Sequence, residues 1–242
     1  MSSLENSKVL IVGGSRGIGL GVAQAALKEG MQVTVASRNP ERAANDLPGA
    51  KFIKVDANDE NSIRNLFSQT GQVDHLVCTQ HSASPDILPA AMAPIHEINL
   101  EKAREFMLSK YWSQFMTMQI GASSVAKDGS ITLTSGVAGR RFVEKHSVIG
   151  PNNCAIDGLA MYGARELAPT RVNVVSPGLV KTPIYSDIED GLWDRLNEKF
   201  SAINPVGKVA TIEETAIAYI YSMQATYVTG TVLDIDGGFL VS

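Results

Sequence analysis

Short apolar, β-branched runs alternate with longer helical stretches along the whole chain, and this alternation limits the folds open to it. The runs are KVLIV (8–12), MQVTVA (31–36), KFIKV (51–55), VDHLVCT (73–79), SITLTS (130–135), RVNVVS (171–176) and TVLDID (231–236). Continuous apolar strands separated by helices belong to parallel sheets covered on both faces. Repeated strand–helix–strand units predict the α/β class: a doubly wound, Rossmann-type parallel sheet of about seven strands with helices on both faces. With no internal repeat, low-complexity segment or linker, residues 1–242 are expected to form a single domain. Ligands of such sheets sit beyond the carboxyl ends of the strands, so functional residues are expected just after these runs.

Composition excludes several classes. The net charge is −4 and no run of basic residues occurs, which argues against nucleic acid or an anionic membrane as partner. No apolar run approaches the ~18 residues needed to span a bilayer, and the polar start MSSLENSK carries no signal-peptide core. Cys78 and Cys154 are expected as free thiols in a reducing, cytoplasmic compartment. Four histidines, at 75, 81, 96 and 146, show no ligand spacing, so no metal is expected.

The segment VGGSRGIGLG follows the first strand and opens the first helix. Gly13, Gly17 and Gly19 allow positive φ and close approach of a ligand to the backbone. The helix N-terminus behind them offers free N–H groups to a pyrophosphate. At the tip of the second strand, where a carboxylate would hold a ribose 2′-hydroxyl, the chain has Ser37 and Arg38, and Arg16 lies within the glycine loop. Two guanidiniums and a hydroxyl suit a 2′-phosphate, which points to NADP(H). Asp56, after the third strand, is either an acceptor for the adenine amino group or an ordinary turn or N-cap aspartate.

These residues resemble the short-chain dehydrogenase/reductase family over nearly the whole chain. GGSRGIG is similar to its cofactor loop, with Ser15 and Ile18 among the contacts the resemblance implies. VDHLVC, GSITLTSGVAG, ELAPTRVNVVSPGLVKTP and YVTGTVLDIDGG are similar to its later strands and their loops. The resemblance further implies that Thr79, Pro177, Gly178, Val180 and Thr182 contact the cofactor, Val180 through its backbone and Thr182 at a phosphate. It implies a homodimer or homotetramer built on helices at about 102–125 and 152–168.

The departures concern the chemistry. The family reduces carbonyls with a Tyr-x-x-x-Lys pair, a serine and usually an asparagine; the lysine brings the phenol, near pKa 10 when unperturbed, into range for proton transfer. Counting back from ELAP puts Ile149 in the tyrosine place and Asn153 in the lysine place. The expected serine hydroxyl falls on Gly136, so Ser135 either turns into the core or serves instead. Lys110 falls at or beside the asparagine place. It is either a replacement anchor for the ribose, a proton donor if desolvation lowers its pKa, or a surface lysine. Asn99 is a lower-ranked rival for the asparagine role. The loop GRRFVEKHS (139–147) is expected to border the substrate, with His146 a proton donor or an exposed loop histidine. Cys78 reads as a buried small hydrophobe.

The segment 183–203, with Trp193, Leu196 and Phe200 at helical spacing, is expected to lid the substrate, and Tyr185 and Trp193 to touch it. The expected function is an NADP(H)-dependent oxidoreductase with a non-standard site. Its catalytic candidates are Ser135, Lys110 and His146, and its substrate a polarised carbonyl, quinone, enone or iminium of a small, secondary-metabolite type. Two alternatives stay open: an isomerase or cyclase using the same pocket, as in divergent fungal family members of alkaloid pathways, and a non-catalytic NADP-binding protein.

Overall fold

The computed structural model describes residues 3–81 and 86–242, so the first two residues of the polar start lie outside it. All seven expected strands form: β1 (Lys8–Val12), β2 (Gln32–Ser37), β3 (Lys51–Lys54), β4 (Val73–Cys78), β5 (Val125–Thr134), β6 (Arg171–Pro177) and β7 (Val232–Ile235). They make one parallel sheet in the order β3-β2-β1-β4-β5-β6-β7.

Pleating explains why the strands are apolar throughout. Leu10 and Val12 of β1 face the side covered by α2 (Glu60–Thr70), α5 (Ser113–Gly121) and α6 (Ile149–Glu166), where Phe67, Met118 and Ile156 pack. Val9 and Ile11 face α1 (Gly17–Lys28) and α9 (Ile212–Gln224), where Val22, Ala26, Tyr219 and Met223 pack. Each fully buried aliphatic or aromatic side chain contributes roughly 1.5–3 kcal/mol. The short α3 (Leu88–Ala91) and α4 (Leu100–Met107) complete the region above the sheet, where Leu88, Phe106, Val148 and Ile149 form a third apolar cluster. A π turn, Leu108–Trp112, joins α4 to α5. After β6 come α7 (Ile184–Ile188) and α8 (Leu192–Ile203). Among the described residues, no helix is long and apolar enough to cross a membrane.

β5 begins at Val125, five residues before the apolar run that marks it in the sequence. Its polar first half, with Lys127 and Asp128, leaves the ladder between Val73 and His75, where the register to β4 shifts. Gly129 passes so close to β4 that a Cβ there would lie 2.0 Å from the Asp74 carbonyl oxygen.

At the other end of β5 the β4–β5 pairing stops at Thr132. Gln114 of α5 takes over: its amide donates to the Thr134 carbonyl (3.0 Å) and accepts from the Thr134 N–H (2.9 Å). This fully buried side chain fixes the backbone from which Ser135 leaves the strand. Gln114→Met should therefore lower the unfolding free energy by about 2–3 kcal/mol, since both backbone groups lose their partner; an unchanged urea midpoint would contradict that role.

Candidate active site

A cavity of about 600 Å³ opens at the carboxyl ends of the central strands. Its first wall is the glycine loop. Gly13 and Gly17 have φ of +89° and +55°, and a Cβ on Gly19 would lie 2.4 Å from the Gly13 carbonyl oxygen. Gly17 is thus required by backbone conformation and Gly19 by close packing. No side chain caps the start of α1, so its first N–H groups remain for an anion. Ser15, Arg16, Gly17 and Ile18 line the cavity here.

Ser37, Arg38 and Arg42 line it at the tip of β2, with the Ser37 hydroxyl 2.9 Å from that of Ser15. Arg42, one turn into a short 3-10 helix, adds a guanidinium that the sequence pattern did not reveal. Arg16 is ion-paired with Asp187 of α7, which ties the loop to the segment after β6. Asp56 also lines the cavity, but its Oδ1 accepts from the Asn58 N–H (3.0 Å) in a local turn; the N-cap of α2 is Asp59. Thr79 fastens the end of β4 to β1 through the Val12 carbonyl (3.1 Å). Thr79, Pro177, Gly178, Val180 and Thr182 close the remaining walls of this half.

Lys110 defines the other half. It sits inside the π turn, a one-residue expansion often found at functional sites. Its side chain is 8% exposed, which removes the surface-lysine reading. The amine donates to the Asn153 Oδ1 (2.7 Å) and to the Ser135 carbonyl (3.0 Å). Burial lowers its pKa to about 8, opposed by the charge of Asp157. Ile149 and Asn153, one helical turn apart at the start of α6, line the same wall.

Ser135 also lines the cavity, yet it is only 3% exposed and its hydroxyl is buried without a partner of hydrogen-bonding geometry. That hydroxyl faces Asp157. Burial raises the Asp157 carboxyl pKa, Ser135, Arg140 and Lys110 counter the rise, and Asp234 adds to it.

His146 lines the cavity, with its Nδ1 2.7 Å from the Glu144 carbonyl, which can only accept. Nδ1 therefore carries a proton. Burial lowers the ring's pKa below the ordinary 6.5, and the bond to the Glu144 carbonyl opposes that shift. Asn99 caps α4 through the Lys102 N–H (3.0 Å) and stays off the cavity wall. Trp193 does not line the cavity but packs on Tyr185, which does (ring centroids 5.6 Å apart). Leu196 and Phe200 of α8 reach the cavity as their spacing predicts, joined by Phe106 and Phe239. Neither Arg140, paired with Asp234 at 3.0 Å, nor Arg141, stacked 4.5 Å over Phe239, lines this cavity. Cys78 is fully buried, and burial pushes its thiol up to about 12, where no thiolate forms at neutral pH.

A family model described as enoyl-(acyl carrier protein) reductase matches residues 12–240. The chain is 31% identical to the short-chain dehydrogenase/reductase ATR9 of Stachybotrys chlorohalonatus, over 98% of each chain. A solved small-chain dehydrogenase in complex with NADPH superposes with a TM-score of 0.85 at 30% identity, covering 98% of this chain and 100% of that one. The MalC reductase/Diels-Alderase of Malbranchea aurantiaca superposes with a TM-score of 0.85 at 27% identity, covering 99% and 98%. The chain belongs to the short-chain dehydrogenase/reductase family.

The low pKa of Lys110 has a consequence for stability. Between about 8 and the unfolded value near 10.5 the unfolded chain holds a proton that the folded chain has released, so stability rises with pH in that window. Wild type should therefore gain stability relative to Lys110→Met between pH 7 and pH 10 in urea titrations. A difference that stays constant across that range would contradict a buried, depressed amine.

Proposed function

We propose that this family member is an NADP(H)-dependent oxidoreductase in which a lysine and an asparagine have exchanged places. The resemblance sets a lysine at 153 and an asparagine at or beside 110; the chain has Asn153 and Lys110, in contact at 2.7 Å. That contact is the observation on which the reading rests. The charge stays at one point of the wall but arrives from the opposite helix.

The residues present fit the cofactor. Uncapped N–H groups at α1 suit a pyrophosphate, and Arg38 and Arg42 beside Ser37 suit a 2′-phosphate through charge-assisted bonds. NADPH, when bound, supplies hydride to the substrate. Lys110 has a third N–H beyond the two bonded to Asn153 and Ser135, and its pKa of about 8 keeps it protonated at neutral pH yet able to release the proton. His146 Nε2 accepts a hydrogen bond from a substrate hydroxyl. Ile149 offers no proton, so simple secondary alcohols and ketones are poor substrates. A quinone, enone, iminium or other polarised carbonyl demands less of the proton donor.

Phe106, Phe200, Phe239, Leu196 and Met92 make the substrate end apolar, which suits a cyclic or aromatic small molecule of the secondary-metabolite type. Residues 183–203 act as its lid within a single-domain chain, held to the glycine loop through Asp187 and Arg16. A ring-forming reaction in the same pocket is the second reading; it is favoured by this apolar lining and by the Malbranchea relative, described as both reductase and Diels-Alderase. The free thiols Cys78 and Cys154 fit a cytoplasmic location. Met107, Leu108 and Trp112 on one helix and Met161 and Tyr162 on the other are exposed apolar groups that suit a two-fold homodimer or tetramer contact. Light scattering should accordingly give a mass above one 25.9 kDa chain, and a single-chain mass at micromolar concentration would contradict the assembly.

The reductase reading is tested by following NADPH oxidation with a panel of quinones, enones and iminiums. NADPH should bind more tightly than NADH, and Lys110→Met should cut turnover at least tenfold, a conservative part of the roughly 10²- to 10⁴-fold typical of general acid–base catalysis, while keeping much of the NADPH affinity. Parallel loss of both would make Lys110 a ribose anchor only; no change in either would remove it from the site.

A further inference from the structure

Asp157 is a charged residue in the middle of α6, half-buried and aimed inward. A carboxylate in such a position is costly unless a cation compensates it. Arg140, the nearest guanidinium, is ion-paired with Asp234 of β7 at 3.0 Å, and Asp234 itself repels Asp157. The other cation facing Asp157 is Lys110.

The local geometry connects the two. Asn153 and Asp157 are four residues apart on α6, so they share one face of the helix. Asn153 Oδ1 binds the Lys110 amine at 2.7 Å, and the Ser135 carbonyl binds it at 3.0 Å. The Ser135 hydroxyl faces the Asp157 carboxyl; both Ser135 Oγ and Asp157 Oδ1 are buried. One residue, Ser135, therefore presents its carbonyl to the amine and its hydroxyl to the acid. We infer that Asp157 is a positioning residue for Lys110: its carboxylate is the counter-charge that keeps the buried amine in its ammonium form, acting across Ser135 and Asn153 and not by contact with substrate or cofactor.

This inference rests on the proposed role of Lys110 in proton delivery, but its premise concerns the amine itself. The charged groups acting on the pair are Arg140 from the loop after β5 and Asp234 from β7, both through Asp157, while His146 lines the same cavity. Removing Asp157 leaves the ammonium without its acid. Removing Arg140 leaves Asp157 without its competing cation and strengthens its pull on the amine.

The test is a lysine NMR titration of the intact protein carrying 13C-labelled lysine, with the Lys110 resonance assigned from its loss in Lys110→Met. In Asp157→Asn the Lys110 midpoint should fall, with about a tenfold loss of proton affinity for a full unit. Asp157→Glu, which retains the charge, should restore most of it. Arg140→Gln should move the midpoint upward, which gives a second readout if Asp157→Asn does not fold. An unmoved midpoint in folded Asp157→Asn, or in folded Arg140→Gln if the first variant is lost, would overturn the inference. The alkaline limb of the NADPH-oxidation profile should shift in step with the midpoint. If the midpoint moves while no substrate is turned over, the counter-charge stands and the reductase reading falls.

Discussion

The Lys110 amine reaches the cavity wall from a π turn and is held there by Asn153 Oδ1 and the Ser135 carbonyl. Taking an ammonium out of water carries a penalty of several kcal/mol. Hydrogen bonds to a charged group return roughly 1.5–3 kcal/mol each, so two bonds plus a nearby carboxylate are needed to hold it. The two hydrogen-bonding supports belong to different parts of the fold. Asn153 depends on the start of α6, Ser135 on the end of β5, and that end depends on Gln114 of α5. The buried Lys110 amine is therefore the point where three elements are locked together.

The two halves of the cavity are built on different principles. Around the glycine loop, backbone conformation and N–H groups form the wall, and side-chain identity matters mainly at Ser37, Arg38 and Arg42. At the reaction end the wall is made of side chains, and there the chain departs from the pattern its family resemblance sets. A parallel sheet tolerates this, because the strand ends are fixed by buried residues such as Leu76, Ile131 and Val174, none of which touches the cavity.

The sheet was legible because fully buried parallel strands must be apolar on both faces, as in KVLIV and RVNVVS. The start of β5 was not, since the exposed Lys127 and Asp128 interrupt the apolar pattern. Counting from the fifth strand located Lys110, but a π turn adds one residue without disturbing the apolar pattern, so the reach of its side chain was invisible. His146 was legible as a cavity residue, whereas the contact of its Nδ1 with the Glu144 carbonyl is a property of geometry alone. Arg42, Phe239 and Asp157 were missed for a similar reason: their sequence neighbours carry no motif, and only the folding of distant elements brings them to the site.

The claim that Lys110 and Asn153 are an exchanged pair is tested most directly by exchanging them back. The rate of NADPH oxidation with an accepted quinone, enone or iminium, measured for Lys110→Asn, Asn153→Lys and the double variant, forms a double-mutant cycle. The account predicts that each single variant slows turnover, one by deleting the charge and the other by setting two ammoniums against each other. The double variant, with the charge restored at the same contact, should recover at least tenfold over either single one. Losses that simply add in the double variant would show that the two residues do not act as a pair, and would contradict the account.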